Sequence, residues 1–177
     1  MGLLDLLIIF VAVGVVAFLT YQRMLRVLFS LAVLWTATLL SALLYEEAAY
    51  RFKAITGSNP SLAEGAFFIG LFLLFFVIGY VVIYLSFPVT KLPKLGFLDY
   101  VLGFFLSLIV AAVIAALLHN AVGVMVSGRW PDHVAWVKMR NNFYASQLLP
   151  FSRTVLSLYR WLFVPFLRPL PPALTPL

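Results

Sequence analysis

Four long apolar runs divide the chain, and most polar positions fall between them. The first, Leu3–Leu19, is broken only by Asp5. A tight basic turn follows, Tyr21-Gln22-Arg23-Met24-Leu25-Arg26. The second run, Val27–Tyr45, carries Ser30, Thr36, Thr38 and Ser41, hydroxyls that inside a helix bond their own carbonyls. Trp35 lies near its middle, away from the interface indoles prefer, and is expected to pack between helices. Glu46–Lys53 continues this helix, with Glu47 and Arg51 four residues apart as a surface pair. Gly57 is a C-cap candidate and Asn59-Pro60 a turn. Ser61-Leu62-Ala63-Glu64 has the form of a capping box opening the third run, Gly65–Phe87. Pro88 stops that run, and Pro88–Gly96 is a turn carrying Lys91 and Lys94. Asp99 then stands at the mouth of the fourth run, Tyr100–Val126. Each run is near the ~20 residues that ~30 Å of hydrocarbon requires.

The remainder reads differently. Pro131 suits the first turn of a new helix, on which Trp136, Met139, Phe143 and Tyr144 share one side. After Pro150, Arg153, Ser157 and Arg160 form one stripe, and Leu156, Tyr159, Leu162 and Phe163 an apolar one. Both segments have the pattern of helices lying in the membrane plane. Pro165, Pro169, Pro171, Pro172 and Pro176 forbid further helix, so the end is expected to be an extended tail. The predicted fold is an all-α membrane protein: four transmembrane helices as two hairpins, then interfacial amphipathic helices. Residues 1–126 make the four-helix domain, with spans about 3–20, 27–45, 65–87 and 100–126. Residues 127–168 hold the interfacial helices and 169–177 the proline-rich tail.

Composition sharpens this. The chain is 64% apolar and 10% charged, where soluble domains carry about 25% charged residues. Too little polar surface remains to cover a soluble core. No cysteine is present, which removes disulfides, thiol nucleophiles and thiolate metal sites. The net charge of +6 is scattered among Trp, Phe and Leu, which suits lipid headgroups and argues against nucleic acid. The first run lacks the basic lead and small-residue cleavage site of a signal peptide and is expected to be retained.

Candidate chemistry is sparse. Transporters and proton paths need ionisable groups inside the membrane, and no span holds one near its centre. Ser107 has no base close in sequence, and the two histidines, His119 and His133, are too distant along the chain to imply a dyad. No catalytic residue, cofactor or metal site is expected. His119 is expected to be interfacial or bonded to backbone. Small residues favour close helix approach in membranes, which makes Gly14, Gly70, Gly79, Gly103, Ser107 and Ala111 candidate packing positions. Arg23, Arg26, Lys91, Lys94 and Asp99 are candidate polar anchors, with Asp99 pairing to Lys91, Lys94 or Arg26 to dock the hairpins. Expected partners are membrane lipids and either a protein partner or further copies of the chain.

Four spans, a basic turn after the first, and the entry Leu-Gly-Phe-Leu-Asp-Tyr-Val-Leu-Gly to the fourth resemble the CvpA family, the colicin V production proteins. Leu3–Ala121 carries the likeness. Asp5, Gly14, Arg23 and Arg26 match the family's first hairpin, and Gly96, Leu98, Asp99 and Gly103 its second. Phe18, Met24, Tyr100 and Ser107 depart from it. The resemblance implies a bacterial inner-membrane protein linked to toxin production or export and to envelope maintenance. Relatives that carry an extracytoplasmic protease after the fourth span imply termini outside the cytoplasm. A small oligomeric transporter or channel, and a membrane subunit of a larger complex, are the competing expectations.

Overall fold

The computed structural model of the chain describes residues 2–56, 59–87, 96–128, 134–167 and 170–176. Every regular element among them is helical. The four long helices are α1 (Leu3–Tyr21), α2 (Arg23–Thr56), α3 (Pro60–Ser86) and α4 (Phe97–Ser127), all long and apolar enough to cross a membrane. Two shorter ones follow, α5 (Val134–Tyr144) and α6 (Leu149–Tyr159), then 3-10 turns at Arg160–Leu162 and Pro172–Leu174. The protein is a four-span, all-α membrane protein with shorter C-terminal helices.

Local chemistry sets the helix ends. α1 stops at Gln22, and Arg23 takes φ +70, a left-handed conformation that costs a residue with a side chain about 1–2 kcal/mol. That one residue turns the chain from α1 into α2. α2 then runs 34 residues, because no glycine or proline interrupts it. Its hydroxyls behave as the sequence predicts: Ser30, Thr38 and Ser41 donate to the carbonyls of Arg26, Leu34 and Ala37. α3 starts earlier than a Ser61 cap would place it. Pro60 fills the first position, where a missing N–H costs nothing, and the Asn59 side chain accepts the Ser61 amide at 3.0 Å. Gly57 lies outside the described residues.

α4 is the hub. Half of its most apolar window is buried, against 17% for those of α1 and α3. α1, α2, α3 and α6 all pack on it. The small residues singled out in the sequence divide by what surrounds them. A Cβ at Gly103 would sit 3.1 Å from the Met24 nitrogen and 3.2 Å from the Arg23 carbonyl carbon, so the α1–α2 turn rests directly on α4 there. A Cβ at Gly79 would meet Val33 Cγ1 at 2.7 Å. Ser107 and Ala111 are buried. Gly14 and Gly70 differ from expectation: a Cβ at either meets nothing within 4 Å, so neither allows a close helix approach within this chain. Gly65 allows one that was not anticipated, its Cβ position lying 2.8 Å from the Ala121 carbonyl oxygen of α4.

The C-terminal segment joins the same core. Leu156, Tyr159, Phe163, Leu167, Ala173 and Leu174 are buried with Leu34 and Ala37 of α2 and with Val113 and Leu117 of α4. α6 lies over α4, with α1 on one side and α2 on the other. Leu148 and Phe151 close a cavity of about 230 Å³ with Ile8, Ile9 and Ala12 of α1. On the other side Tyr159 meets Thr38 at 3.1 Å, and Trp35 stacks on Phe163 and meets Phe166 edge-on. The proline-rich end is docked rather than loose. Its 3-10 turn buries Ala173 and Leu174.

Candidate functional site: a buried polar chain at one end of the bundle

Antiparallel spans bring the start of α1, the end of α2, the start of α3 and the end of α4 to one face. Asp5 opens α1 and His119 lies two turns from the end of α4. Both are buried, at 0% and 1% exposure. The loop between α5 and α6 delivers Ser146, and the first turn of α6 delivers Ser152. His119 Nδ1 lies 3.0 Å from Ser152 Oγ and His119 Nε2 lies 3.0 Å from Ser146 Oγ. Ser146 Oγ donates in a short hydrogen bond to Asp5 Oδ1. Asp5 Oδ2 accepts the Gly2 and Gln147 amides at 3.2 and 3.3 Å. Phe143 of α5 stacks on the imidazole, with ring centroids 4.7 Å apart.

These contacts assign the protons. The one hydroxyl proton of Ser146 goes to the Asp5 carboxylate, so Ser146 Oγ must accept from His119, and Nε2 carries the hydrogen. In neutral imidazole Nδ1 is then an acceptor, and Ser152 divides its one hydrogen between Nδ1 and the Leu149 carbonyl. The chain of donors runs Ser152 to His119 to Ser146 to Asp5, and every link is satisfied with His119 uncharged. Protonation would make Nδ1 a donor. Ser152 would then turn its hydrogen wholly to the Leu149 carbonyl, which it already reaches at 2.9 Å. The order is not that of a nucleophilic triad, in which imidazole separates the carboxylate from the hydroxyl. Here a hydroxyl separates the carboxylate from the imidazole, and Ser146 and Ser152 are both buried.

Beside this chain, Asn120 holds the tail. Its Nδ2 donates to the carbonyls of Pro172, Ala173 and Thr175 at 3.2, 2.9 and 3.0 Å. Asn120 follows His119 directly, so consecutive residues of α4 fix α6 and the chain end.

At the opposite end Asp99 meets Arg23, where Arg26, Lys91 or Lys94 was expected. Asp99 is buried at 1% exposure. Its Oδ1 accepts the Met24 amide at 3.1 Å, and its Oδ2 faces Arg23 Nη1 at 3.8 Å. Arg23 also donates to the Tyr100 hydroxyl at 3.0 Å. Arg26 is not the partner of Asp99. It donates to the Gln22 side chain and the Phe87 carbonyl, and its guanidinium lies over the Tyr84 ring. The left-handed turn explains the exchange, because it swings Arg23 toward α4 while Arg26 stays on α2 and reaches the end of α3. Ser107 meets Thr20 at 2.9 Å, a second polar link between α1 and α4. Lys91 and Lys94 lie outside the described residues.

A family model described as colicin V production protein matches residues 4–156. The chain belongs to that family. Searches of curated proteins and of solved structures return no match. The family match reaches Leu156, so it takes in Asp5, Asp99, His119, Ser146 and Ser152. Among the described residues no group of three or more His, Asp or Glu side chains is placed to hold a metal ion.

Sequence reasoning placed Asp5 and His119 correctly at span ends but kept them apart. With four antiparallel crossings, the first residues of span one and the last of span four must share a face, and that signal was available. Ser146 and Ser152 carried none. His119 was expected to be interfacial or bonded to backbone; it lies toward a span end, and its ring partners are the side chains of Ser146 and Ser152.

Proposed function

We propose that this colicin V production family protein is a non-catalytic accessory or scaffold of the bacterial inner membrane. It acts in toxin production or export, or in envelope maintenance, with its termini on the extracytoplasmic side. The carrying observation is where its polar groups are used. Asp5, His119, Ser146 and Ser152 bond to one another inside the bundle, and Asp99 bonds to the turn it packs against. These are ties that hold α1, α4 and α6 in fixed relation, and among the described residues no nucleophile–base pair opens onto a cleft. Such a body offers a membrane partner a constant surface.

Gentle extraction of the tagged protein from native membranes, followed by mass measurement, tests this. A membrane protein is expected to co-purify in fixed ratio. A clean monomer, together with solute flux in proteoliposomes, would overturn the scaffold reading. The polar flank of α6 favours a second reading, a small oligomeric transporter or channel, which the flux arm would support.

A further inference from the structure

The seam between α1 and α4 is not filled along its length. A groove of about 790 Å³ runs in it, walled almost wholly by apolar side chains of the two helices and by Phe151 of α6. Val13, Phe104 and Leu108 line it and are exposed, so it opens on the outer surface of the bundle. Ala12, Ala17, Ala111 and Ala112 leave the space, because their side chains are short. In hydrocarbon no water exclusion acts to close such a seam.

Its length selects the occupant. On α1 the lining runs from Tyr21 back to Ala12, nine residues or ~14 Å. On α4 it runs from Tyr100 to Ala112, twelve residues or ~18 Å. One leaflet of a ~30 Å hydrocarbon layer is ~15 Å deep. The groove thus starts at the turn face and ends about one leaflet below it. Phe151 lines both this groove and the cavity of about 230 Å³ toward Leu148, so its ring marks the boundary between them. A spanning helix from a second copy needs the full ~30 Å and would run onto Phe151. A single acyl chain needs half of that.

The mouth carries the charge. Tyr21, 84% exposed, and Tyr100 line the groove at the turn face, the level at which tyrosine favours headgroups. The Arg23 guanidinium lies over the Tyr100 ring, 5.0 Å from its centroid, and donates to the Tyr100 hydroxyl at 3.0 Å. Asp99 leaves donors on Arg23 unused. Its Oδ2 is 3.8 Å from Nη1, beyond hydrogen-bond reach, and Asp99 is buried while Arg23 is partly exposed. A guanidinium presents five N–H donors in a fork that fits phosphate. The bond to Tyr100 is the one side-chain hydrogen bond Arg23 makes among the described residues. Arg23 and Arg26 against Asp99 also leave this face one positive charge in excess among those residues.

We propose that the α1–α4 groove binds a phospholipid of the leaflet at the turn face, one acyl chain lying between the helices and the phosphate held by Arg23 and the Tyr21 hydroxyl. The surplus positive charge makes the site prefer an anionic headgroup.

Full-length protein in proteoliposomes is irradiated with a phosphatidylglycerol that carries a diazirine midway along one chain, or with a phosphatidylcholine bearing the same chains, at equal mole fraction. Phosphatidylglycerol is expected to label residues 12–17 and 104–112 about fivefold more, the preference that one basic residue supplies toward an anionic lipid. Arg23→Gln should bring the two probes level, and Arg23→Lys should keep them apart. Ala17→Phe, at an exposed position, fills the groove without touching Arg23. It should cut labelling of residues 104–112 by both probes several-fold with the melting temperature held, which keeps the test standing if Arg23→Gln does not fold. Equal labelling by the two probes in the native chain would overturn the site. So would labelling no denser than on exposed Leu74, Val77 and Val81 of α3, or labelling that survives Ala17→Phe. Cross-links from the groove to a second copy of the chain would replace the lipid with a dimer contact.

Discussion

The two ends of the bundle are both tied by a buried carboxylate, and the ties work differently. At the turn end, Asp99 meets its partners across short connections. It takes the Met24 amide and a guanidinium at 3.8 Å, beside a glycine that admits the turn backbone. At the other end, Asp5 is bonded through Ser146 to His119 and on to Ser152, all by hydrogen bonds and all buried. The first end is one partly solvated ion pair, and Arg23 keeps 25% of its side chain exposed. The second is a closed network, whose members support one another in a low dielectric. The turn end docks one hairpin on the other, whereas the network end recruits a segment that is not a span at all. A change at the turn end should therefore act on assembly of the hairpins, and one at the network end on the seating of α6 and the tail.

Close approach gives the largest contrast. Gly103→Leu drives a side chain into backbone at the turn end, and Gly65→Leu does so against the Ala121 carbonyl near the network end. Overpacking of this kind costs about 3 kcal/mol. Both variants should show a clear fall in melting temperature in detergent, or no folded yield. His119→Ala comes next, at about 2–4 kcal/mol, from the ring volume lost beside Phe143 and the hydrogen bonds lost by two buried hydroxyls. Its mark should be faster protease cleavage between α5 and α6, with the four spans still assembled. Asp99→Ala should cost about 1–3 kcal/mol by orphaning the Met24 amide. The cost stays below that of His119→Ala because Arg23 can turn to water; a melting curve for each variant checks the order. Asn120→Ala removes the two Nδ2 hydrogens shared by the Pro172, Ala173 and Thr175 carbonyls, at about 1–2 kcal/mol in all. Carboxypeptidase trimming of the C-terminus should accelerate, with a fall in melting temperature smaller than that of Asp99→Ala. Gly14→Leu is the smallest, within about 0.5 kcal/mol, because its surroundings are open. A large effect there would reveal a second helix seated on α1.

Much of the turn end was legible. Arg23, Arg26 and Asp99 are charges beside apolar runs, and such charges must gather at the membrane faces. The choice of Arg23 over Arg26 was not legible, because it follows from a single left-handed residue. At the network end only the two ionisable members stood out. A serine gives no sign of which imidazole it will meet when 27 residues intervene, as they do between His119 and Ser146. The amphipathic pattern of α6 was visible, but an apolar stripe reads the same whether lipid or protein covers it.

By itself the sequence determined that the chain crosses a membrane four times, because hydrocarbon admits only long apolar helices and turns away their charged ends. It also determined the basic turns, the proline stops and the glycine at position 103. The tertiary structure alone decided which carboxylate meets which cation, that Asp5 and His119 share one hydrogen-bonded chain, and that Tyr159 and Phe163 lie beside Trp35. Inside a bilayer water exclusion does not choose among helix faces. The choice falls to shape and hydrogen bonding between segments far apart in the chain, and those are set only once all of them are in place.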